Sequence, residues 1–267
     1  MSHVARASWS LGYPDQALKR SQEALTLAQE LSHPQSLAFA LFPVGLLRYL
    51  RGEGEAAREP AEALIALSLE QGFAFFLATG TMMQGWALAE GGQKEEGIAQ
   101  MRQGLSGLQA TGAELPRVVW AGPLAEAYGK VGRAEEGLPV LSEALAFVDK
   151  TGGRFYEAEL YRLKGKLVLQ SGVRGPASEN PNTQHPAPST QAEAEAEACF
   201  LKAIDIARKQ HAKSLELRAA MSLSRLWQQQ GKKEEAHQLL AEIYGWFTEG
   251  FDTVDLQEAQ ALLEELS

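Results

Sequence analysis

GWALAEGGQKEEGIAQMRQGL, residues 85 to 105, decides the fold. Its turn residue, Gly92, follows the small residue Gly85 by seven positions and precedes another, Gly97, by five; seven further on, Gly104 is followed by the large apolar Leu105. Small and apolar positions on each side recur every three or four residues, the period of one helix face, so the stretch is two helices joined at Gly92. The pattern recurs along the chain. Gly12, Gly52, Gly92, Gly132 and Gly172 stand 40 residues apart, and the next equivalent, Gly231, follows after 59, which is 40 plus 19. The small residue before each turn is Ala5, Gly45, Gly85, Ala125, Gly165 and Ser224 in succession. The one after it is Ala17, Ala57, Gly97, Gly137, Ala196 and Ala236. Helices approach closely only where side chains are small, so each unit is expected to be a packed helix pair. Polar steps such as Lys94-Glu95-Glu96 and Lys233-Glu234-Glu235 open the second helices, where acidic residues suit the helix dipole. Gly72, Gly112 and Gly152 end second helices and return the chain to the next unit.

The surplus 19 residues have a place. Val173 to Gln191, VRGPASENPNTQHPAPSTQ, holds four prolines in a polar segment that can neither continue a helix nor supply a core, so residues 172–191 are expected to form a disordered insertion. Near the C-terminus, Asp252-Thr253 before Val254-Asp255-Leu256 reads as the cap of a last helix, 253–266, which closes the stack. The expected fold is an all-α solenoid of about six helix pairs plus a capping helix, one domain over residues 1–267. The register puts the start of the first helix about six residues before Met1, so the chain is expected to be a piece of a longer protein.

Composition agrees with an all-helical chain. The 267 residues include 41 Ala and 37 Leu against 10 Val and 5 Ile, so helix formers outnumber β-branched residues several-fold. A formal net charge of -9, with no Lys/Arg cluster, argues against nucleic acid or an anionic membrane as partner. The lone Cys199 forms no internal disulfide and fits a cytoplasmic setting. The N-terminus lacks the basic start and apolar core of a secretory signal. Two charge-free stretches, Leu31 to Leu47 and Gln71 to Ala89, are interrupted by Pro, Gly and Gln and read as buried helices rather than membrane spans.

The repeat residues resemble the tetratricopeptide repeat (TPR), whose first helix has a small residue at its middle and whose second has two alanines seven apart. Forty residues exceed its usual 34 by about two turns spread over the pair, similar to the helical repeats of bacterial signal-transduction ATPases. The Gly85 to Leu105 stretch, RFYEAELYRLKGKL (154 to 167), the run from Ala196 to Lys232 and YGWFTEGFDTVDLQEAQALL (244 to 263) resemble the C-terminal repeat region of bacterial multidomain proteins that join a class III adenylate or guanylate cyclase to an ATPase. No Gly-Lys-Ser or Gly-Lys-Thr loop and no paired metal-binding aspartates occur, so what the resemblance implies is the role of the repeat region, not catalysis. That role is a non-enzymatic protein–protein interaction and regulatory module binding a peptide or partner domain. The alternative is a small-ligand sensor arm controlling an attached ATPase or cyclase.

Chemistry-bearing residues are sparse. The five histidines lie in different units or in the insertion without metal-ligand spacing, Cys199 has no histidine placed to activate it, and the Glu-Glu pairs recur at the repeat period as helix starts. No cofactor or metal is expected. In a right-handed stack of the TPR kind the first helices line the inner groove, and the register projects onto it Arg6, Trp9, Phe39, Phe42, Leu46, Tyr49, Thr79, Met82, Trp86, Glu126, Glu159, Arg162, Lys166, Arg218 and Arg225. The groove is expected to be two-toned, aromatic and apolar toward the N-terminus and Arg/Lys interleaved with Glu toward the C-terminus, the residue types that carry interface energy.

Overall fold

A computed structural model describes residues 2–172 and 190–267. Six helix pairs follow one another, each first helix packing on its own second helix and each second helix on the next first one. They are α1 (Ser2–Ser10) with α2 (Pro14–Glu30), α3 (Pro34–Leu50) with α4 (Gly54–Gln71), and α5 (Ala74–Glu90) with α6 (Lys94–Ala110). The pairs continue with α7 (Glu114–Lys130) and α8 (Ala134–Thr151), α9 (Glu157–Gly172) and α10 (Thr190–Lys209), and α11 (Lys213–Gln229) and α12 (Lys233–Tyr244). A single 3-10 turn, Arg154–Tyr156, precedes α9, and α13 (Val254–Leu266) ends the chain. Among the described residues this is an all-α, TPR-like solenoid with a terminal helix.

The repeat geometry is carried by residues without bulk. All twelve register positions flanking the turns, from Ala5 to Ala236, are buried. The closest approach is between α5 and α6, where a Cβ on Gly85 would lie 2.8 Å from the Gly97 carbonyl oxygen and one on Gly97 would lie 2.4 Å from the Gly85 oxygen. Only glycine on both sides allows the two backbones to touch. The two charge-free stretches fold into the buried helices α3 and α5 and their flanks, and no described helix is long and apolar enough to cross a membrane.

Three sequence expectations are corrected. Residues 173–189 of the proposed insertion lie outside the described residues, but its edges do not belong to it. Gly172 is the last residue of α9, and Thr190 and Gln191 form the first turn of α10. Thr253 takes the N-cap position of α13 without a side-chain cap bond, and its hydroxyl donates to the Gly250 carbonyl at 2.6 Å. The third correction is the largest. The register implies an open inner groove, whereas the inner helices α1, α3, α5, α7, α9 and α11 contact in sequence and α11 returns to α1, closing the turn.

The closure has its own chemistry. Glu249 accepts hydrogen bonds from the Asp15 and Gln16 amides at 3.0 and 3.1 Å and from Gln16 Nε2 at 3.0 Å, so a residue 234 positions away caps the N-terminus of α2. The Gly250 amide donates to Asp15 Oδ2 at 2.9 Å, and Ser214 donates to the Trp9 carbonyl at 2.5 Å. The buried Arg51 ties the seam together, donating to the Pro14 carbonyl at 3.0 Å and pairing with Glu53, Asp15 and Asp252. Glu249→Ala is expected to cost about 1 kcal/mol, as for a lost N-cap. Hydrogen exchange is expected to quicken at the Asp15 and Gln16 amides. Unchanged exchange there would mean that the ends are held by other contacts.

Candidate partner-binding site

Closure turns the expected groove into two separate sites. At the centre, Tyr49 of α3 and Tyr156 before α9 meet hydroxyl to hydroxyl at 2.7 Å, and Tyr49 packs edge-on against Trp86 at 5.1 Å and tilted against Trp120 at 5.9 Å. Burial raises both tyrosine pKa values, with the Glu159 charge adding to the effect for each. Trp9 is covered by the Arg218 guanidinium, 5.0 Å from its ring centroid. Trp9, Leu46, Tyr49, Thr79, Met82 and Trp86 are therefore buried, and the expectation that they face an open groove is corrected. Their bulk fills the space that closure leaves at the axis.

The charged residues gather at one mouth of the turn, around a cavity of about 260 Å³. Its walls combine Glu126, Arg162, Lys166, Arg218 and Arg225, all placed inward by the register, with residues that the sequence reading missed: Glu90, Lys130, Asp255 and Glu258. Each cation already has a carboxylate. Lys166 reaches Glu126 at 3.0 Å, Arg162 grips Glu159 with two bonds of 2.6 and 2.8 Å, and Arg218 meets Asp255 at 2.8 Å and Glu159 at 3.3 Å. Arg225 pairs with Glu258 at 2.7 Å and Lys130 with Glu90. Arg218 also donates to the Leu50 carbonyl at 2.6 Å. The basic half of the two-toned groove is thus neutralised from within, and an acidic partner would have to displace a carboxylate of the chain itself.

Burial and pairing compete at each carboxylate. Burial pushes the Glu126 carboxyl up, but Lys166, Arg162 and Lys130 outweigh it and hold it well below the usual range. Glu159 is held down in the same way by Arg162 and Arg218 against its burial. Asp255 goes the other way, because burial there exceeds what Arg218 returns.

The apolar half survives as a surface feature. A pocket of about 120 Å³ opens between α1, α3 and α5, lined by Arg6, Phe39, Phe42, Leu46, Leu50 and Phe75 among others. Phe39 is 55% exposed and Phe42 half-buried. Phe42 packs edge-on against Phe75 at 6.2 Å and Phe39 against Phe76 at 4.9 Å, so the aromatic lip is braced from α5. Of the projected groove residues, the structure brings Arg6, Phe39, Phe42 and Leu46 to this pocket, sets the buried Tyr49 and Trp86 at the wall of the charged cavity and leaves Trp9 and Met82 in the core.

The same helical arrangement occurs in solved structures. A Podosopora anserina kinesin light chain with nearly identical TPR-like repeats is 16% identical, with a TM-score of 0.51 over 88% of this chain and 98% of that one. The fold is that of a TPR-like repeat protein. BtubC (BKLC) from P. vanneervenii is 13% identical, with a TM-score of 0.56 over 95% of this chain and 89% of that one. The apo form of RapI is 12% identical, with a TM-score of 0.57 over 99% of this chain and 69% of that one. No protein-family model matches the sequence. An uncharacterized protein of Rhizobium meliloti (strain 1021) is 22% identical over 174 residues, 65% of this chain, and the match spans 17% of that protein's length.

Proposed function

We propose that the chain is a non-enzymatic protein-interaction module, regulatory or scaffolding, that forms one repeat domain of a larger cytoplasmic bacterial signalling protein and takes a partner segment on the surface of its inner helices. The observation that carries this reading is the braced aromatic lip of Phe39 and Phe42, apolar surface beside a pocket lined by Leu46, Leu50 and Phe75. The Rhizobium meliloti relative, of which the match is 17%, supports a place within a longer chain. The resemblance to cyclase–ATPase proteins supplies the signalling context. The cavity carboxylates argue against acid–base catalysis because each is committed to a cation. A cavity lined by balanced ion pairs favours the small-ligand sensor arm as the second reading.

Binding of the parent protein's other domains tests the first. Phe42→Ala is expected to speed dissociation and weaken binding by about 2 kcal/mol, as at an interface hot spot. Arg225→Glu, beside the exposed Glu258 pair, is expected to slow association and change its salt dependence. Tyr49 and Trp86 are unsuitable probes, since truncating them opens the core. If both variants stay folded and bind as the parent chain does, while Glu62→Arg on the outer helix α4 abolishes binding, the outer surface is the working face.

A further inference from the structure

Among the described residues Arg6 has no counter-ion. It is the one described arginine that is not exposed and has no carboxylate within 4.0 Å. It makes no hydrogen bond to another described residue either. Its guanidinium carbon lies 4.5 Å from the ring centroid of Phe155, and its burial lowers its pKa without a carboxylate to oppose the effect. A guanidinium held over a ring keeps N–H groups for a carboxylate, the group that it binds with two parallel bonds. The five cations of the charged cavity show the alternative, a chain that supplies its own acids wherever a cation is drawn inward.

We infer that the pocket between α1, α3 and α5 anchors a partner polypeptide that presents a large apolar side chain with a carboxylate beside it. The apolar group seats against Phe42, Leu46 and Phe75, and the carboxylate meets Arg6. This rests on the inner helices presenting a partner-binding surface and adds the chemistry of the partner. The occupant is a polypeptide rather than a small acid because 120 Å³ is well under the ~300–1,000 Å³ of sites that enclose a whole small molecule. A pocket of this size holds one side chain, with the rest of the ligand lying across the exposed Phe39.

The test is selection from short random peptides, acetylated and amidated so that no terminal charge contributes, against the full chain, followed by affinities on wild type and Arg6→Gln. Enriched peptides are expected to carry Asp or Glu next to Phe, Leu or Met. Exchanging that acid for its amide is expected to weaken binding to wild type about tenfold, as for a lost charge-assisted hydrogen bond, and to leave binding to Arg6→Gln unchanged. Thermal unfolding of Arg6→Gln checks that the fold is intact. The inference is overturned if no peptide is enriched, if enriched peptides lack an acid, or if the exchange weakens both proteins equally. It is also overturned if 3-phenylpropionate binds more tightly than any peptide, which would give the pocket to a small apolar acid. Parent-protein domains that bind through Phe42 but compete with none of these peptides would sink the pocket and spare the interaction module. Peptides that bind as expected while Phe42→Ala and Arg225→Glu leave domain binding untouched would do the reverse.

Discussion

Replacing Gly85 with leucine is expected to destabilise the protein by ~3 kcal/mol or more, because the new side chain would start inside the backbone of α6 and not beside a movable side chain. Its Cβ alone would lie 2.8 Å from both the Gly97 oxygen and the Met101 nitrogen. Gly45 differs. There the obstructing atoms belong to the flexible Met83 side chain, with Cε 1.6 Å from the ideal Cβ, so Gly45→Ala is expected to be milder than Gly85→Ala. Gly112→Ala separates crowding from backbone strain, since Gly112 has φ +73 with nothing within 4 Å, and it is expected to cost about 1–2 kcal/mol. Gln191→Leu, on the exposed first turn of α10, is expected to be neutral. Thermal melting ranks the five. Gly85→Ala no worse than Gly112→Ala would mean that α5 and α6 can part without loss, and the small-residue register would then not hold the solenoid together.

That register was legible because one packing problem is solved six times in one chain, and a constraint repeated at a fixed spacing stands out from single-residue noise. The same spacing held information that residue-type reasoning passed over. Glu90 and Lys130 are 40 positions apart, as are Glu126 and Lys166, and Glu159 and Arg218 are 59 apart, so each pair joins equal positions of neighbouring units. Opposite charges at one register position were a signal for ion pairs. Ser32 and His211 likewise occupy the register position of Gly72, Gly112 and Gly152, and both take the left-handed conformation, with φ 48 and 54. Without glycine the turns were not marked by composition. Closure of the turn was not legible. It depends on small rotations accumulated over six pairs, and the residues that seal it, Asp15 with Gly250 and Gln16 with Glu249, lie more than 230 positions apart with no pattern linking them. The projection therefore put the right residues on the inside and gave the inside the wrong shape.

Arg218→Met is expected to cost ~3–5 kcal/mol, the range for removing one partner from a buried ion pair, because Asp255 would be left without its cation and Glu159 with Arg162 alone. The pH dependence distinguishes this from lost packing on Trp9. Asp255 is already raised by burial, and without Arg218 its folded pKa rises further above the unfolded value. An acid with a raised folded pKa destabilises the fold while ionised and ceases to do so as pH falls through that value, so the variant is expected to recover stability on acidification. The parent chain moves oppositely, because Glu126 and Glu159 have lowered folded pKa values and their contribution, full above the unfolded carboxylate pKa, is lost as pH falls through the folded values. The stability difference between the two proteins should therefore narrow toward acid. Adding Asp255→Leu to Arg218→Met should restore much of the loss at neutral pH, since an apolar pair at such a site is often neutral relative to the ion pair. Denaturant unfolding at neutral and acid pH measures both effects. A difference that stays constant with pH and is not reduced in the double variant would place the role of Arg218 in its stacking on Trp9 and its bond to the Leu50 carbonyl, and the charged mouth would then be a consequence of closure and not one of its causes.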